Sequence, residues 1–310
     1  MLTISNEVAS ALKNAEPVVA LESTLITHGL PFPSNVETAI AAEEYVRREG
    51  AIPATIAVME GHIRVGLSHD EIGFLGRLER KNVMKVSRGD LGVAVAQKGF
   101  GATTVASTMI CAKLAGIQVF ATGGLGGVHR GGENSLDISA DLMELGRTPV
   151  VVVCAGAKSI LDIGRTLEVL ETQGVPVVGY QTKKFPAFHY RDTVFDLHAS
   201  VDHVEELARM IEAHFQLINC GFLVANPIRE EDAMNHVEVE QFIAQAVREA
   251  EDKRITGKAV TPFLLSRLNE LSGGKSLASN VALIKNNAAL AAQIAKQLAS
   301  PRGFEPRLPP

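Results

Sequence analysis

The chain has 310 residues, 46% hydrophobic and 21% charged, an ordinary composition for a globular protein with a sizeable core. Its formal net charge of −5 and its scattered basic residues argue against nucleic acid or an anionic membrane surface as partners. Residues 1–14 lack the pattern of a secretion signal, and no apolar run reaches the ~18 residues of a membrane helix. We therefore expect a soluble, cytoplasmic protein. Three widely spaced cysteines in apolar segments indicate reduced core thiols and no zinc site: Cys111, Cys154 and Cys220.

Strands are predicted where a short apolar run is bounded by turn residues. They fall at residues 17–22, 52–59, 62–65, 83–87, 118–121, 149–154, 175–180 and 221–227. The run at 149–154, Pro-Val-Val-Val-Val-Cys, has no polar position, which is typical of a strand buried on both faces of a parallel sheet. Glu60 and Gly61 predict a hairpin turn, so part of the sheet should be antiparallel.

Helices are predicted between these strands from their caps and periodicity. Two residue pairs have the spacing of a capping box: Ser34 with Glu37, and Ser68 with Glu71. Residues 155–158 are expected to turn into a helix of about four turns that ends at Gly174. Further helices are expected before Gly116, at 140–145, at 203–217 and from 236 to about 298.

The alternation of strands and helices indicates an α/β protein, a three-layer α/β/α sandwich with a mixed, largely parallel sheet. We expect a single domain over residues 1–299, because no linker or internal repeat interrupts the pattern. Residues 300–310 are rich in proline and lack periodicity, so they are expected to form a disordered tail.

A loop with six glycines, at residues 123–132, follows the strand at 118–121. Glycine tolerates positive φ and lets the backbone approach a ligand, which favours a ligand-binding loop over a mobile surface connection. The spacing excludes a dinucleotide motif, whose third glycine would replace His129, and a P-loop, which would need glycine in place of Ala157. His129 and Arg130 either contact a polar or anionic ligand or form a solvated pair.

Two lysines lie at or near the carboxyl ends of strands, where ligands gather in open α/β sheets. Lys158 lies between an apolar strand and the predicted first turn of a helix, and both surroundings disfavour an ammonium ion. A neutral amine there would be a nucleophile for carbonyl carbon, whereas the alternative is an amine that reaches solvent or pairs with Asp162. Lys85 lies within an apolar strand, and its alternative is an edge position with the amine in water.

Three carboxylates are further candidates. Glu22 ends an apolar strand, where burial would keep its proton available for general acid catalysis, unless it caps a helix or loop. Asp137 and Asp141 are four residues apart and share a face if both are helical, but a helix that begins near Ser139 would leave Asp137 in the loop. Carboxylates with waters suit Mg²⁺ or Mn²⁺, although acids also compensate helix N-termini.

A series of motifs runs in order along residues 2–299. They read Ala20-Leu-Glu-Ser-Thr24, His28-Gly-Leu-Pro-Phe-Pro33, Lys85-Val-Ser-Arg88, Gly101-Ala-Thr-Thr-Val-Ala-Ser-Thr108, Ala121-Thr-Gly-Gly-Leu-Gly-Gly-Val-His-Arg130, Asp137-Ile-Ser-Ala-Asp141, Cys154-Ala-Gly-Ala-Lys-Ser159, Val224-Ala-Asn-Pro-Ile228, Thr261-Pro-Phe263 and Ser279-Asn280. In this order they closely resemble the pseudouridine-5′-phosphate glycosidase family.

The resemblance implies reversible cleavage of the C–C glycosidic bond of pseudouridine 5′-phosphate to uracil and ribose 5-phosphate, in pseudouridine catabolism. It implies Lys158 as the covalent nucleophile and Glu22 as the proton donor. It implies one Mn²⁺ per subunit at Asp137, or in its place Mg²⁺ or another divalent ion. Substrate contacts are implied for Lys85, Val105, Ser139, Ala140 and Asp141, and pocket-lining positions for His129 and Asn280.

The resemblance also implies an α/β/α sandwich that assembles as a homotrimer. Some family members are fused to a sugar kinase, for which this chain has no room, so a separate pseudouridine kinase is the expected pathway partner. Neither nucleic acid nor a membrane is expected as a partner.

A C-glycoside has no heteroatom leaving group to protonate, unlike the substrates of ordinary two-carboxylate glycosidases. One route has Glu22 protonate the ring oxygen and Lys158 form an imine with the opened ribose, after which the C–C bond breaks and uracil carbon takes a proton. Two alternatives stay open. One is a lysine-imine aldolase acting on a sugar phosphate, and the other is a sensor of phosphosugars or nucleotides that tolerates loss of Lys158 or Glu22.

Overall fold

The computed structural model describes residues 1–255 and 257–299. Within them eleven strands form one sheet and two short strands pair separately. The strands are β1 (Leu2–Ile4), β2 (Val18–Leu21), β3 (Ile52–Met59), β4 (His62–Val65), β5 (Val83–Val86), β6 (Phe100–Thr103), β7 (Val119–Ala121), β8 (Val128–His129), β9 (Val151–Cys154), β10 (Leu161–Asp162), β11 (Val177–Tyr180), β12 (Ala199–Val201) and β13 (Phe222–Ala225).

The sheet is mixed and mainly parallel, as predicted. Neighbouring strands follow the order β1-β4-β3-β2-β7-β9-β13-β11-β12, and β6 pairs with both β3 and β5. The pairings of β3 with β4 and with β6 are antiparallel, whereas the central pairings of β2, β7, β9 and β13 are parallel. The separate pair, β8 with β10, is antiparallel.

The α-helices of the described residues cover both faces of this sheet. They are α1 (Asn6–Lys13), α2 (Ser34–Arg48), α3 (His69–Arg77), α4 (Leu91–Ala96), α5 (Val105–Ala115), α6 (Gly132–Ser135), α7 (Ala140–Leu145), α8 (Ile163–Thr172), α9 (Val204–Leu217), α10 (His236–Asp252), α11 (Val260–Leu271) and α12 (Lys275–Ala299). In residues 1–255 and 257–299 no helix is long and apolar enough to cross a membrane.

Alternate residues of the central strands face two separate apolar cores. Val18 and Ala20 of β2 pack in the core that contains residues of α1, α5 and α10. Val19 and Leu21 pack in the core that contains residues of α2, α9 and α12. Because successive side chains of a strand point to opposite faces, this division confirms the predicted three-layer sandwich. The three cysteines are buried and unpaired, as predicted.

The two predicted capping boxes have different outcomes. The box at Ser68 is confirmed, because its hydroxyl accepts from the Glu71 N–H at 3.2 Å and its own N–H donates to the Glu71 carboxylate at 2.8 Å. The prediction of a capping box at Ser34 is wrong. Helix α2 begins at Ser34 itself, and Pro33 before it has no side chain that can cap. The hairpin turn between β3 and β4 is confirmed.

The chain after β9 also differs from the prediction. The expected four-turn helix begins only at Ile163 and has ten residues. The reason is Asp162, whose carboxylate accepts from the Arg165 N–H at 3.0 Å and caps α8 at that point. Lys158 therefore lies in the turn that precedes β10. Strands β1, β6, β8, β10 and β12 escape sequence prediction because none of them is a continuous apolar run bounded by turn residues. The predicted tail at 300–310 lies outside the described residues.

The long helix α12 is anchored to the sheet by Asn287, whose side chain is fully buried. Its amide nitrogen donates to the carbonyl oxygens of Thr122 at 2.8 Å and Gly123 at 3.2 Å, just beyond β7. Its amide oxygen accepts from the side chain of Asn226 at 2.9 Å, just beyond β13. One side chain thus satisfies buried polar groups at two strand ends.

The variant Asn287→Leu should lower the free energy of unfolding by about 2–4 kcal/mol, because a buried polar group left unpaired costs roughly 1–3 kcal/mol. The matched control is Asn286→Ala, which removes a single bond of 3.3 Å to the Pro227 carbonyl and should cost about 1 kcal/mol or less. Urea unfolding measures both variants. Equal losses would contradict the anchoring role of Asn287.

Candidate functional site

The site lies where the parallel strands β2, β7 and β9 end. Leu21 pairs with Ala121, and Ala121 pairs with Val153, so the residues that follow emerge side by side at one edge. A cavity of about 370 Å³ opens there. Its walls contain every residue that the sequence assigned to catalysis, substrate or metal: Glu22, Lys85, Val105, His129, Asp137, Ser139, Ala140, Asp141, Lys158 and Asn280.

Glu22 follows β2 directly and is partly exposed to the cavity. Burial raises the pKa of its carboxyl, and the nearby ammonium of Lys158 and a hydrogen bond from the Thr122 hydroxyl partly offset that effect. The carboxyl therefore keeps its proton to higher pH than an exposed glutamate does. This property suits a proton donor.

The amine of Lys158 is held on the cavity side, because its Nζ donates to the Gly124 carbonyl oxygen at 3.0 Å. The alternative pairing with Asp162 does not occur, since that carboxylate pairs with Arg165. The expectation that a helix N-terminus acts on Lys158 is wrong, because α8 begins five residues later. The amine is available to a ligand in the cavity.

Lys85 has the edge position of one prediction and the cavity contact of the other, but its amine does not lie in open water. Among the strands that the structure describes, β5 pairs with β6 alone, so it is an edge strand. Its lysine side chain nevertheless lines the cavity, and burial together with the charge of Lys158 lowers the pKa of the Lys85 amine. The carboxylates of Asp141 and Glu22 act in the opposite direction. With Asp137 included, two lysines and three carboxylates thus line one small cavity.

The glycine loop owes its composition to close packing more than to positive φ. A Cβ on Gly126 would lie 2.3 Å from the Ser139 hydroxyl oxygen, and one on Gly124 would lie 2.4 Å from the Phe188 ring. Among the six loop glycines, all of them described, Gly131 alone has a positive φ, of 78°. Larger residues would therefore push the loop away from its neighbours.

Asp141 clamps the glycine loop to α5. Its two carboxylate oxygens accept from the N–H of Ala106 at 3.0 Å and from the N–H of Gly126 at 2.9 Å. Ser139 caps α7, because its hydroxyl accepts from the Asp141 N–H at 3.3 Å. This segment holds the shape of the cavity wall and contributes to its lining.

His129 and Arg130 do not act as a pair. His129 lines the cavity, and burial lowers the pKa of its imidazole while the neighbouring Asp137 carboxylate opposes that shift. Arg130 instead pairs with Glu240 at 2.9 Å and donates to the Ser159 carbonyl at 3.0 Å. These bonds engage Arg130 outside the lining of this cavity, and its contact with a ligand stays a prediction.

Asp137 lies in the loop before α7, which begins at Ala140, and it is one of the residues that line the cavity. In the part of the chain that the structure describes, no cluster of three or more His, Cys, Asp or Glu side chains could hold a metal ion. A fully protein-built metal cage is therefore absent from those residues. The donor set fits an ion of the Mg²⁺ or Mn²⁺ kind, which binds through one or two carboxylates with water and substrate phosphate.

Several other residues of the cavity lining are not singled out by the sequence, among them His28 and Thr104. The imidazole of His28 has its pKa lowered to about 4, chiefly by burial, so it is neutral near pH 7. The hydroxyl oxygen of Thr104, before α5, is buried with no hydrogen-bond partner among the described residues. Both occur in motifs that carry the family resemblance, but nothing local in the sequence indicates that they face the cavity.

The chain is similar to several known proteins. A family model described as indigoidine synthase A like protein matches residues 7–297. A pseudouridine-5′-phosphate glycosidase of Escherichia coli strain K12 is 58% identical over 96% of this chain and 95% of its own length. A protein of the same name from Geobacillus kaustophilus strain HTA426 is 55% identical over 96% of this chain and 98% of its own.

A solved structure of the prealnumycin C-glycosynthase AlnA in complex with ribulose 5-phosphate is also similar. It has a TM-score of 0.89 and 42% identity, and the match covers 96% of this chain and 97% of that one. An indigoidine synthase A-like protein of Thermotoga maritima has a TM-score of 0.88 and 34% identity, with 97% of each chain covered. This chain therefore belongs to the indigoidine synthase A-like family.

Proposed function

We propose that this protein is an enzyme that reversibly cleaves the C–C glycosidic bond of pseudouridine 5′-phosphate to give uracil and ribose 5-phosphate. The observation that carries the proposal is the meeting of the Lys158 amine and the Glu22 carboxyl in one cavity. The relatives at 55–58% identity over nearly the full chain are named for this activity. The similar C-glycosynthase is named for chemistry at a C-glycosidic bond.

The proposed reaction uses the two groups in turn. Glu22 gives its proton to the ribose ring oxygen while the Lys158 nitrogen bonds to C1′, so that the C1′–oxygen bond breaks and the ring opens. The Glu22 carboxylate takes a proton from the attached Lys158 nitrogen and delivers it to C5 of the uracil, which restores the lone pair of the nitrogen. The nitrogen lone pair forms the imine as the C1′–C5 bond breaks, and the electrons of that bond restore the uracil double bond. Water hydrolyses the imine, which releases ribose 5-phosphate and frees the amine.

The alternative functions share parts of this site. A sugar-phosphate aldolase would also use the Lys158 imine but has no need for a uracil pocket. A sensor would need the cavity without the buried acid or the amine. The names of the relatives favour the glycosidase over both. Formation of pseudouridine 5′-phosphate from uracil and ribose 5-phosphate separates the three functions.

We further propose that Asp137 holds one Mn²⁺, for which Mg²⁺ or another divalent ion could substitute. The support is a carboxylate residue in the lining of a site that would take a phosphorylated substrate. A bound divalent ion would balance the negative charge of the substrate phosphate. The substrate contacts are assigned to Lys85, Val105, Asp141 and their neighbours in the cavity wall.

Two further proposals rest on the family resemblance: a homotrimer, and a separate pseudouridine kinase that supplies or removes the 5′-phosphate. Two others rest on the composition and patterning of the sequence: one domain over residues 1–299, and a cytoplasmic location. Neither nucleic acid nor a membrane is a proposed partner.

Borohydride reduction in the presence of ribose 5-phosphate should trap one ribosyl adduct on Lys158, visible by peptide mass mapping. Lys158→Ala should abolish the adduct and lower turnover by roughly 10³-fold or more, because the nucleophile is lost. Lys113→Ala, which alters an exposed lysine of α5, is the control and should behave as the wild type. An adduct at another lysine, or normal turnover in Lys158→Ala, would contradict the assignment.

Glu22→Gln should lower turnover by about 10²–10⁴-fold, because it keeps the shape of the side chain but has no proton to give. Since burial raises the pKa of Glu22, wild-type activity should persist above the pH at which an exposed glutamate ionises. It should fall as the pH rises through that raised pKa. The control is Glu37→Gln, at an exposed position on α2. A near-normal rate in Glu22→Gln would reassign Glu22 to binding.

Asp137→Asn should weaken Mn²⁺ binding by at least roughly tenfold, since even outer partners of metal ligands are worth about 10- to 100-fold in affinity. Electron paramagnetic resonance titration of Mn²⁺, with ribose 5-phosphate present, measures this. Glu133→Gln in the same loop is the control, because that carboxylate pairs with Arg165 at the surface. Equal affinity in both variants would rule out Asp137 as the ligand.

A further inference from the structure

The N–H, the carbonyl oxygen and the hydroxyl of Thr122 each have a hydrogen-bond partner. It follows β7 and is only 3% exposed. Its N–H donates to the Val153 carbonyl at 3.0 Å, and its carbonyl oxygen accepts from Asn287 at 2.8 Å. Its hydroxyl donates to the Glu22 carboxylate across the strand pair. The backbone bonds fix the position of the Thr122 Cα, from which the hydroxyl reaches the Glu22 carboxylate.

The Thr122 hydroxyl contacts the Glu22 carboxylate, which lies among several other charged groups. The charged groups that face Glu22 are Lys158 in the turn after β9, Asp141 of α7 and Lys85 of β5. His28, His129 and Asp137 line the same cavity. A neutral donor that contacts the carboxylate directly stabilises its ionised form without adding charge to the cavity. Thr122 thereby counteracts burial at this one group.

We propose that Thr122 is a positioning residue, which orients the Glu22 carboxyl and sets the pH range over which that carboxyl carries its proton. The proposal rests on the proposed function, in which Glu22 delivers a proton. Burial raises the pKa of Glu22 and the Thr122 hydrogen bond lowers it, so the bond prevents the acid from holding its proton too tightly to release it. A residue that only filled space would leave the titration of Glu22 unchanged.

The test compares Thr122→Val, which keeps the branched shape without the hydroxyl, with Thr122→Ser, which keeps the hydroxyl. The first readout is the titration of Glu22, followed by carbon NMR on glutamate-labelled protein and assigned with Glu22→Gln. In Thr122→Val the midpoint should move up by about one pH unit or more, because a hydrogen bond to a charged group is lost. In Thr122→Ser it should stay within a few tenths of a unit of the wild type.

The second readout is the pH profile of kcat/KM for pseudouridine 5′-phosphate. Its alkaline limb should move upward in Thr122→Val by the same amount as the NMR midpoint, and in Thr122→Ser it should not move. If Thr122→Val does not fold, Thr122→Ala provides the same comparison. An unmoved midpoint in the variant without a hydroxyl, or an equal shift in Thr122→Ser, overturns the proposal.

The two readouts separate this inference from the proposed function. Absence of wild-type cleavage would overturn the proposed function, while the NMR titration would still report whether Thr122 controls Glu22. Cleavage with an unmoved NMR midpoint would overturn the inference about Thr122 and leave the proposed function standing.

Discussion

The parallel, in-register pairing of β2, β7 and β9 is the constraint on which the site depends. Because Leu21, Ala121 and Val153 lie level with one another, Glu22 and Thr122 leave the sheet together. The chain after β9 then turns back along the same edge, where Lys158 reaches the Gly124 carbonyl. A slip of one residue in this register would turn the strand side chains to the opposite face and separate acid from amine.

Several charged side chains are buried at one edge of the sheet, so each needs a hydrogen-bond partner or an opposite charge nearby. Glu22 has Thr122 and the nearby Lys158, and Asp141 accepts two backbone N–H groups. These partners come from different strands and helices, which links the protonation of the site to the integrity of the sheet. Asn287 connects α12 to the same network, because its side-chain amide donates to the Thr122 carbonyl oxygen. The same hydrogen bonds therefore stabilise the fold and influence the protonation of Glu22.

The sequence predicts the sandwich, and every residue that it assigned to catalysis, substrate or metal lines the cavity, because strand ends and ordered motifs are local signals. It fails at one helix start and at one residue whose partner is distant in sequence. Asp162 caps α8 through the nearby Arg165 N–H, so this helix begins later than predicted, and Glu240 pairs with Arg130 from 110 residues away. The glycines of the loop indicate close approach correctly, but the approach is to protein atoms. No local sequence pattern indicates that His28 and Thr104 line the cavity, because the tertiary structure alone brings them there.

The most direct test of the account is to incubate the protein with pseudouridine 5′-phosphate and Mn²⁺ and to identify the products by mass spectrometry. The account predicts uracil and ribose 5-phosphate in equal amounts, and formation of pseudouridine 5′-phosphate when those two compounds are supplied instead. Unchanged pseudouridine 5′-phosphate after prolonged incubation, with no synthesis in the reverse direction, would contradict it.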